Sequence, residues 1–157
     1  MNRRRTERRP MERRRTERGT ALIEVTWLSI LLLVPLVYVL LSVFEVQRSA
    51  FAVNAASRAA GRAYSLAPSQ DQAMERARSA AAVALADQGL DLADGTLDLG
   101  CEPDPGNCLS PGSVIHVRVV YPVALPLMPT ALGDQTPSIR VEADHTVPYG
   151  TFREDRP

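Results

Sequence analysis

The feature that most constrains this 157-residue chain is a run of twenty residues without a charge, Val25 to Phe44 (VTWLSILLLVPLVYVLLSVF). As a helix, such a run rises about 30 Å, the thickness of the hydrocarbon core of a bilayer. Trp27 and Phe44 lie near its two ends, where aromatic rings favour the membrane interface. The run predicts a transmembrane helix with a kink at Pro35. A buried helix of a soluble protein is the alternative.

Charge is distributed unevenly around this run. The chain has 18 basic and 18 acidic residues, but residues 1–18 contain nine Arg and only three Glu. Basic residues flanking a membrane helix stay in the cytoplasm, which predicts a cytoplasmic N-terminus and an extracytoplasmic C-terminal part. An arginine block also binds the phosphates of nucleic acids in other proteins. Because an apolar run follows the block directly, we expect it to orient the membrane segment, and no nucleic-acid partner is expected.

A cleaved secretory signal is a second interpretation of the N-terminus, since Ala50-Phe51-Ala52 has the A-x-A form of a signal-peptidase site. The apolar run is longer than the roughly 7–15 residues of a signal peptide. Glu45 and Arg48 also separate it from the tripeptide. Both observations favour a retained membrane helix.

The stretch RGTALIEVTW, residues 18–27, joins the basic block to the apolar run, and in it Gly19 is followed by four residues and then by Glu24. The basic leader, Gly19, Glu24 and the apolar run together resemble the cleavage region of type IV prepilins. The resemblance implies that a prepilin peptidase, a membrane-embedded aspartic peptidase, cuts between Gly19 and Thr20 on the cytoplasmic side. A residue without Cβ suits this role because a protease can approach its backbone closely.

Glu24 is a candidate functional residue, because an ionised carboxylate costs about 2.5–3.5 kcal/mol at the centre of a membrane helix and less near the interface. Cleavage would create a cation, the α-amine of Thr20. The resemblance implies that Glu24 pairs with the Thr20 amine of a neighbouring subunit and sets the register of assembly. The alternative is a Glu24 that is solvated at headgroup level without a partner. Thr20 departs from the N-methylated Phe found first in many mature type IV pilins, so methylation is not implied.

The helical pattern continues past the apolar run to about residue 66 and is rich in alanine. Spacings of three and four residues place six of them on one predicted face: Ala52, Ala55, Ala56, Ala59, Ala60 and Ala63. Such a face suits close packing between subunits or against the rest of the chain. The high helix propensity of alanine explains the pattern equally well.

A second helix is predicted after Pro68, which ends the first. Ser69 to Gln72 has the form of a capping box, and the helix is expected from Gln70 to about Gln88, with Gly89 as its end.

Residue alternation predicts two antiparallel strands, Ser113–Tyr121 and Ser138–Val147. One face of the first holds Ile115, Val117, Val119 and Tyr121, and the other His116 and Arg118. One face of the second holds Ile139, Val141 and Ala143, and the other Arg140, Glu142 and Asp144. A short strand is also allowed at Thr96–Leu99. The predicted fold class is therefore α+β: a long N-terminal membrane-spanning helix continuing into an Ala-rich helix, a second helix, and a small antiparallel sheet.

The connection between the two strands is apolar and rich in proline. Pro122, Pro126 and Pro129 argue against a central strand there. Three apolar residues of this connection either form a partner surface or fold back onto the sheet: Leu125, Leu127 and Met128.

Cys101 and Cys108 bracket the loop EPDPGN. Both are predicted to lie outside the cytoplasm, where disulfides persist, so we expect them to be bonded. The alternative is a zinc site formed with His116 and His145, but the spacing matches no common finger. No phosphate loop, nucleophile elbow or metalloprotease helix is present in the sequence, and no serine is placed to complete a triad with Asp144-His145. Neither enzymatic activity nor a cofactor or metal is expected.

The stretch from Asn54 to Ala63 (NAASRAAGRA) adds an N-A-A-x-x-A-A-x-x-A spacing. With the leader, the early Glu24 and the short β-rich tail, it is similar to the TadE-like branch of pilin-related proteins, from the tight-adherence pilus system. The similarity covers residues 18–66 well. From about residue 95 it is general in form, with VVYPVALPL the most family-like piece.

The resemblance implies a minor pilin or pseudopilin whose partners are the prepilin peptidase, other pilins or pseudopilins, and a membrane assembly platform. Three segments are expected: a cleaved leader at 1–19, a transmembrane and extended helix at 20–66, and an extracytoplasmic domain at 67–157. The protein would be single-pass in the cytoplasmic membrane, and held there or incorporated into a surface pilus. The alternative is an uncleaved single-pass membrane protein whose extracytoplasmic domain binds another molecule.

Overall fold

The structure is a computed structural model that describes residues 13–125 and 138–156, with side chains described from residue 21 onward. It confirms the α+β class. The elements in chain order are α1 (Arg13–Ser65), α2 (Gln70–Ala86), a single 3-10 turn (Leu92–Asp94), β1 (Thr96–Glu102), β2 (Val114–Ala124) and β3 (Ser138–Pro148). The chain divides into two compact units, Met1–Leu40 and Leu41–Pro157.

The N-terminal unit is helical wherever it is described. Its large apolar side chains, from Leu22 to Leu40, are exposed over 44–71% of their surface. The most apolar 18-residue window of the helix has a mean hydropathy of 2.5, and among the described residues this is one helix long and apolar enough to cross a membrane. Pro35 lies inside α1 without ending it. A surface this apolar is stable only when lipid or other apolar groups cover it.

In the C-terminal unit, one cluster of buried residues joins α1, α2 and the sheet. The buried face of α2 consists of Ala73, Ala77, Ala81 and Leu85, one residue every four positions. On β2 the buried side chains are Ile115, Val117, Val119, Tyr121 and Val123, which confirms the predicted alternation. The core is thus built from small residues on the helices and β-branched residues on the sheet, a combination that lets helix and sheet approach closely.

The predicted alanine face of α1 is wrong as a single face. Ala52, Ala56 and Ala60 are fully buried in the core, whereas Ala55 is exposed and Ala59 and Ala63 are half-buried. The two sets follow two parallel rows at a spacing of four, and only one row faces the sheet. A second buried row lies beside the alanine row and contains Ser49, Val53, Ser57 and Gly61. The hydroxyls of its two serines donate to backbone carbonyls of their own helix, at 2.9 and 3.0 Å.

The sheet has the order β1-β2-β3, and both neighbouring pairs are antiparallel. The predicted antiparallel pairing of the last two strands is confirmed, and the strand allowed near Thr96 extends to Glu102. The expectation that Pro122 lies outside a central strand is wrong, since it pairs with Arg140 within β2. Pairing with β1 already ends at Val120. At Pro122 the strand therefore has one neighbour, and a missing N–H is tolerated on the open side.

The start of α2 differs from the predicted capping box. Ser69 is the N-cap, but its side chain makes no capping hydrogen bond. Gln70 instead donates from Nε2 to the hydroxyl of Tyr64, at 2.9 Å, and so ties α2 to the end of α1. At the other end the chain leaves the helix through Gly89, as predicted, with a φ of 71° that favours glycine. Leu125 is half-buried, while Leu127, Met128, Pro126 and Pro129 lie outside the described residues.

The last residues of the chain cover the end of α1. Arg153 donates from Nη1 to the carbonyl oxygen of Ser65 at 2.9 Å, and Arg156 from Nη1 to that of Ala67 at 3.0 Å. Ser65 is the last residue of α1, where intrahelical donors run out, and Ala67 lies just beyond the helix. The positive guanidinium groups also suit the negative end of the helix dipole.

Gly61 sets the distance between α1 and the sheet. A Cβ at this position would lie 2.7 Å from Cγ2 of Val147 and 3.3 Å from Cγ2 of Val117. The first distance is shorter than real carbon contacts, so any side chain at position 61 would displace β3 or its valine. Close packing here depends on the absence of a side chain.

We predict that Gly61→Ala lowers the free energy of unfolding of the C-terminal unit. Overpacking costs about 1–3 kcal/mol, and the gain in helix propensity offsets up to about 1 kcal/mol of that. Thermal unfolding of the full chain in detergent measures the effect. Gly100→Ala is the matched control, because a Cβ there meets no atom within 4 Å. Adding Val147→Ala to Gly61→Ala should recover part of the loss, and a Gly61→Ala variant as stable as the parent would contradict the prediction.

Candidate functional site

The predicted processing region lies within α1. Gly19 and Thr20 belong to the helical backbone, and the described side chains begin just after them, at Ala21. Glu24 is exposed and follows Thr20 by four residues. At this spacing two positions share one side of a helix and are about 6 Å apart along its axis. A terminal amine at Thr20 and the Glu24 carboxylate would therefore lie on the same side of α1.

The surroundings of Glu24 are apolar. Its neighbours Ile23, Val25 and Leu28 are exposed over 60–66% of their surface. Thr26 is the nearest polar side chain in sequence, and its hydroxyl donates to the Leu22 carbonyl at 2.8 Å. Among the side chains that the structure describes, none forms an ion pair with Glu24. A carboxylate so placed is suited to accept a cation from another molecule or from the chain's own N-terminal segment.

The predicted disulfide is present: Cys101 and Cys108 are bonded to each other, with Cα atoms 5.4 Å apart. Because both sulfurs are used, neither is a thiolate ligand for zinc. His116 and His145 do not approach each other either. His116 is exposed on the outer face of the sheet, whereas His145 is half-buried on the inner face beside Gly61. The residues of the alternative zinc site are thus not brought together.

We predict that loss of the disulfide destabilises the C-terminal unit by about 2–3 kcal/mol, from the chain entropy of a short closed loop. The measurement is thermal unfolding of the full chain with and without a thiol reductant. The double variant Cys101→Ser, Cys108→Ser should unfold at the lower temperature under both conditions. A parent protein unaffected by complete reduction would contradict the prediction.

Asp144 and His145 do not form part of a triad. Consecutive strand residues face opposite sides of a sheet, and Asp144 lies on the outer face. There it accepts hydrogen bonds from Arg118, with Nε to Oδ1 at 2.8 Å. This bond, with the negative charges of Asp144, Glu142 and Asp98, raises the pKa of the Arg118 guanidinium above its usual value. The pair is exposed and contributes little to stability.

A basic groove between α1 and β3 was not predicted from the sequence. Its lining combines three arginines and a histidine, Arg58, Arg62, Arg153 and His145, with apolar atoms of Leu66, Val147 and Pro148, and its volume is about 780 Å³. Arg58 and Arg62 lie one turn apart on α1, which their spacing indicates. Arg153 joins them only through the fold, because it follows β3 in the chain.

Arg153 is held in a fixed position within the basic groove. Besides its hydrogen bond to Ser65, its guanidinium lies 4.7 Å from the ring centroid of Tyr149, in a cation–π contact. Tyr149 is itself buried, and its hydroxyl donates to the carbonyl of Glu154 at 2.9 Å. The groove therefore contains one guanidinium that contacts within the chain hold in place, that of Arg153, and two exposed ones, those of Arg58 and Arg62.

A second charged feature is the acidic loop, which we define as residues 87–94 with Asp87, Asp91 and Asp94, all exposed. Asp91 accepts from the Ala93 N–H at 2.9 Å and caps the 3-10 turn. The Tyr121 hydroxyl lies 3.5 Å from Asp94 Oδ2. Burial raises the pKa of Tyr121 above 10.0, and the negative charges of Asp94 and Asp91 add to the rise. The loop thus concentrates negative charge at the Tyr121 end of β2.

Comparison with protein-family models, with curated proteins and with solved structures gives no match for this chain.

Proposed function

We propose that this protein is a TadE-like minor pilin or pseudopilin, a non-enzymatic subunit that serves the assembly of tight-adherence pili. Its N-terminus faces the cytoplasm, a prepilin peptidase removes residues 1–19, and α1 holds the mature chain in the membrane. Its partners are other pilins or pseudopilins and the membrane assembly platform. The C-terminal unit lies outside the cytoplasm, in agreement with the disulfide between Cys101 and Cys108.

The observation that carries the proposal is the continuity of α1. One helix from Arg13 to Ser65 contains the Gly19–Glu24 motif, the exposed apolar segment and the face buried in the C-terminal core. Among the described residues, nothing covers the apolar segment. A subunit that is first held in lipid and then packed against the helices of other subunits needs such a surface in both states.

Glu24 supplies specificity in this proposal. Apolar helices slide past each other at little cost, because lipid and leucine are equally apolar. A single carboxylate that must meet the Thr20 amine of a neighbour selects one axial position among the alternatives. The opposite charges also cancel, which lowers the cost of placing either in hydrocarbon.

We predict that Gly19→Glu blocks cleavage. A long charged side chain at this position would prevent the close approach of the peptidase to the backbone that glycine allows. The measurement is N-terminal sequencing of the protein extracted from membranes of cells that contain the peptidase. The parent should begin at Thr20 and the variant should keep its leader. Thr20→Ser is the matched control and should still be cleaved. An intact leader on the parent would refute the proposal and favour the uncleaved single-pass membrane protein.

We predict that Glu24→Ala leaves cleavage intact but reduces incorporation into assemblies at least about tenfold, the effect of losing ~1.4 kcal/mol per contact. Glu45→Ala is the matched control, since Glu45 lies on the same helix but already pairs with Arg48 of its own chain, at 2.6 Å. The measurement compares membrane-bound and assembled fractions by immunoblotting. Equal incorporation of the Glu24 and Glu45 variants would rule out the pairing.

A further inference from the structure

The basic groove has positive charge that its own surroundings do not neutralise. The described residues that line it include no carboxylate, and the ion pairs described for this chain, Arg48–Glu45 and Arg118–Asp144, involve none of its arginines. Arg58 and Arg62 are exposed at i and i+4, so their like charges repel each other by a few tenths of a kcal/mol. The groove is therefore suited to bind a partner with several negative charges.

The acidic loop has the complementary character. Between Asp87 and Asp104 the sequence contains acids but no Arg or Lys. A Cβ at Gly89 would lie 3.9 Å from Nη1 of Arg48, which places the loop beside that arginine. Arg48 is already paired with Glu45. The loop thus keeps an excess of negative charge, with the apolar side chains of Leu92 and Ala93 between its aspartates.

The two features lie far apart within one C-terminal unit. Along α1, the acidic loop is beside Arg48 and the groove extends from Arg58 to Leu66, about 15–27 Å away. The sheet gives the same result. The loop contacts Tyr121, whereas the groove residues His145 to Pro148 pair with the opposite end of β2, about 13–23 Å away. At physiological salt the Debye length is about 8 Å. The positive charge of the groove and the negative charge of the loop therefore do not neutralise each other within one molecule.

We propose that the basic groove of one copy of this protein binds the acidic loop of a second copy. The contact is heterologous, because groove and loop are different surfaces, so each bound copy still presents one free groove and one free loop. Repetition then produces an open chain of subunits unless rotation closes it into a ring. This contact between C-terminal units adds to the proposed assembly role but does not require cleavage after Gly19.

A second copy fits the groove better than a small anion does. The groove volume of about 780 Å³ exceeds what a single phosphate or carboxylate fills, and a third of its lining residues are apolar: Leu66, Val147 and Pro148. A protein loop with aspartates around Leu92 and Ala93 matches both kinds of lining. Salt pairs at the edge of such a contact fix its orientation, and burial of the apolar atoms between them excludes water.

Site-directed cross-linking of the full chain in membranes tests the contact. The two native cysteines are bonded to each other, so engineered thiols are the only free ones. Leu66→Cys places a thiol in the groove and Ala93→Cys places one in the acidic loop, and no charge is changed. Since these positions are more than about 20 Å apart in one chain, a bond between them within one molecule is excluded.

The double-cysteine protein is expected to give a ladder of dimers, trimers and longer products on mild oxidation, while each single-cysteine protein stays monomeric. Equal dimerisation of either single-cysteine protein would overturn the heterologous contact. Monomers alone from the double-cysteine protein, with both thiols reactive towards a maleimide, would overturn the proposal altogether.

Charge reversal gives a second readout. In the double-cysteine protein, Arg58→Glu with Arg62→Glu is expected to lower the ladder yield about tenfold or more, and Asp87→Arg with Asp94→Arg should do the same. The two reversals combined should restore it. Arg76→Glu with Arg78→Glu on α2 is the control of equal charge change and should have no effect. Failure of the combined variant to restore the ladder, with an unchanged unfolding temperature, would overturn the proposal.

The Gly19→Glu background separates this inference from the proposed function. Uncleaved protein should still form the ladder, since groove and loop belong to the C-terminal unit. Loss of cross-linking with normal processing would overturn the contact alone, and cross-linking without processing would overturn only the pilin assignment. A ladder that disappears in the uncleaved background alone would overturn the claim that the contact is independent of cleavage.

Discussion

The close approach of α1 to the sheet at Gly61 is the contact on which the C-terminal unit depends. The buried face of α1 consists mainly of alanine, serine and glycine, and these residues bury little surface each. Their contribution comes from letting the helix lie near enough for Val117, Val147 and Tyr64 to fill the space. The same contact fixes α1 beside β3, and the basic groove exists because Arg58 and Arg62 flank that contact line.

The sequence predicts those parts of the fold that depend on local pattern. Charge-free length predicts α1, and alternation predicts β2 and β3 together with their pairing. It does not predict which alanine row is buried. Ala55 and Ala56 have the same side chain, and only the position of the sheet decides that Ala56 is buried and Ala55 exposed. The place of Pro122 within β2 is not predicted for a related reason: proline excludes a strand position only where a neighbour needs its N–H, and the extent of β1 decides that.

The same distinction between local pattern and tertiary contact applies to the candidate sites. Gly19, Thr20 and Glu24 stand within six residues of each other, so sequence spacing alone suffices to group them. Cys101 and Cys108 are likewise local, and their bond is present. The basic groove needs Arg153, which is 91 residues beyond Arg62 and joins it only when the C-terminal segment folds back over the end of α1. Spacing carries no information about such a pair.

The capping of α1 by Arg153 and Arg156 links the fold to the order of synthesis. These donors follow the carbonyls of Ser65 and Ala67 by 88 and 89 residues, so they leave the ribosome long after them. Until the segment after β3 arrives, the end of the first helix has water as its hydrogen-bond partner and the basic groove lacks its fixed guanidinium. A newly made subunit in which this segment has not yet folded back has every strand but an incomplete groove, so the groove is the last feature of the C-terminal unit to form.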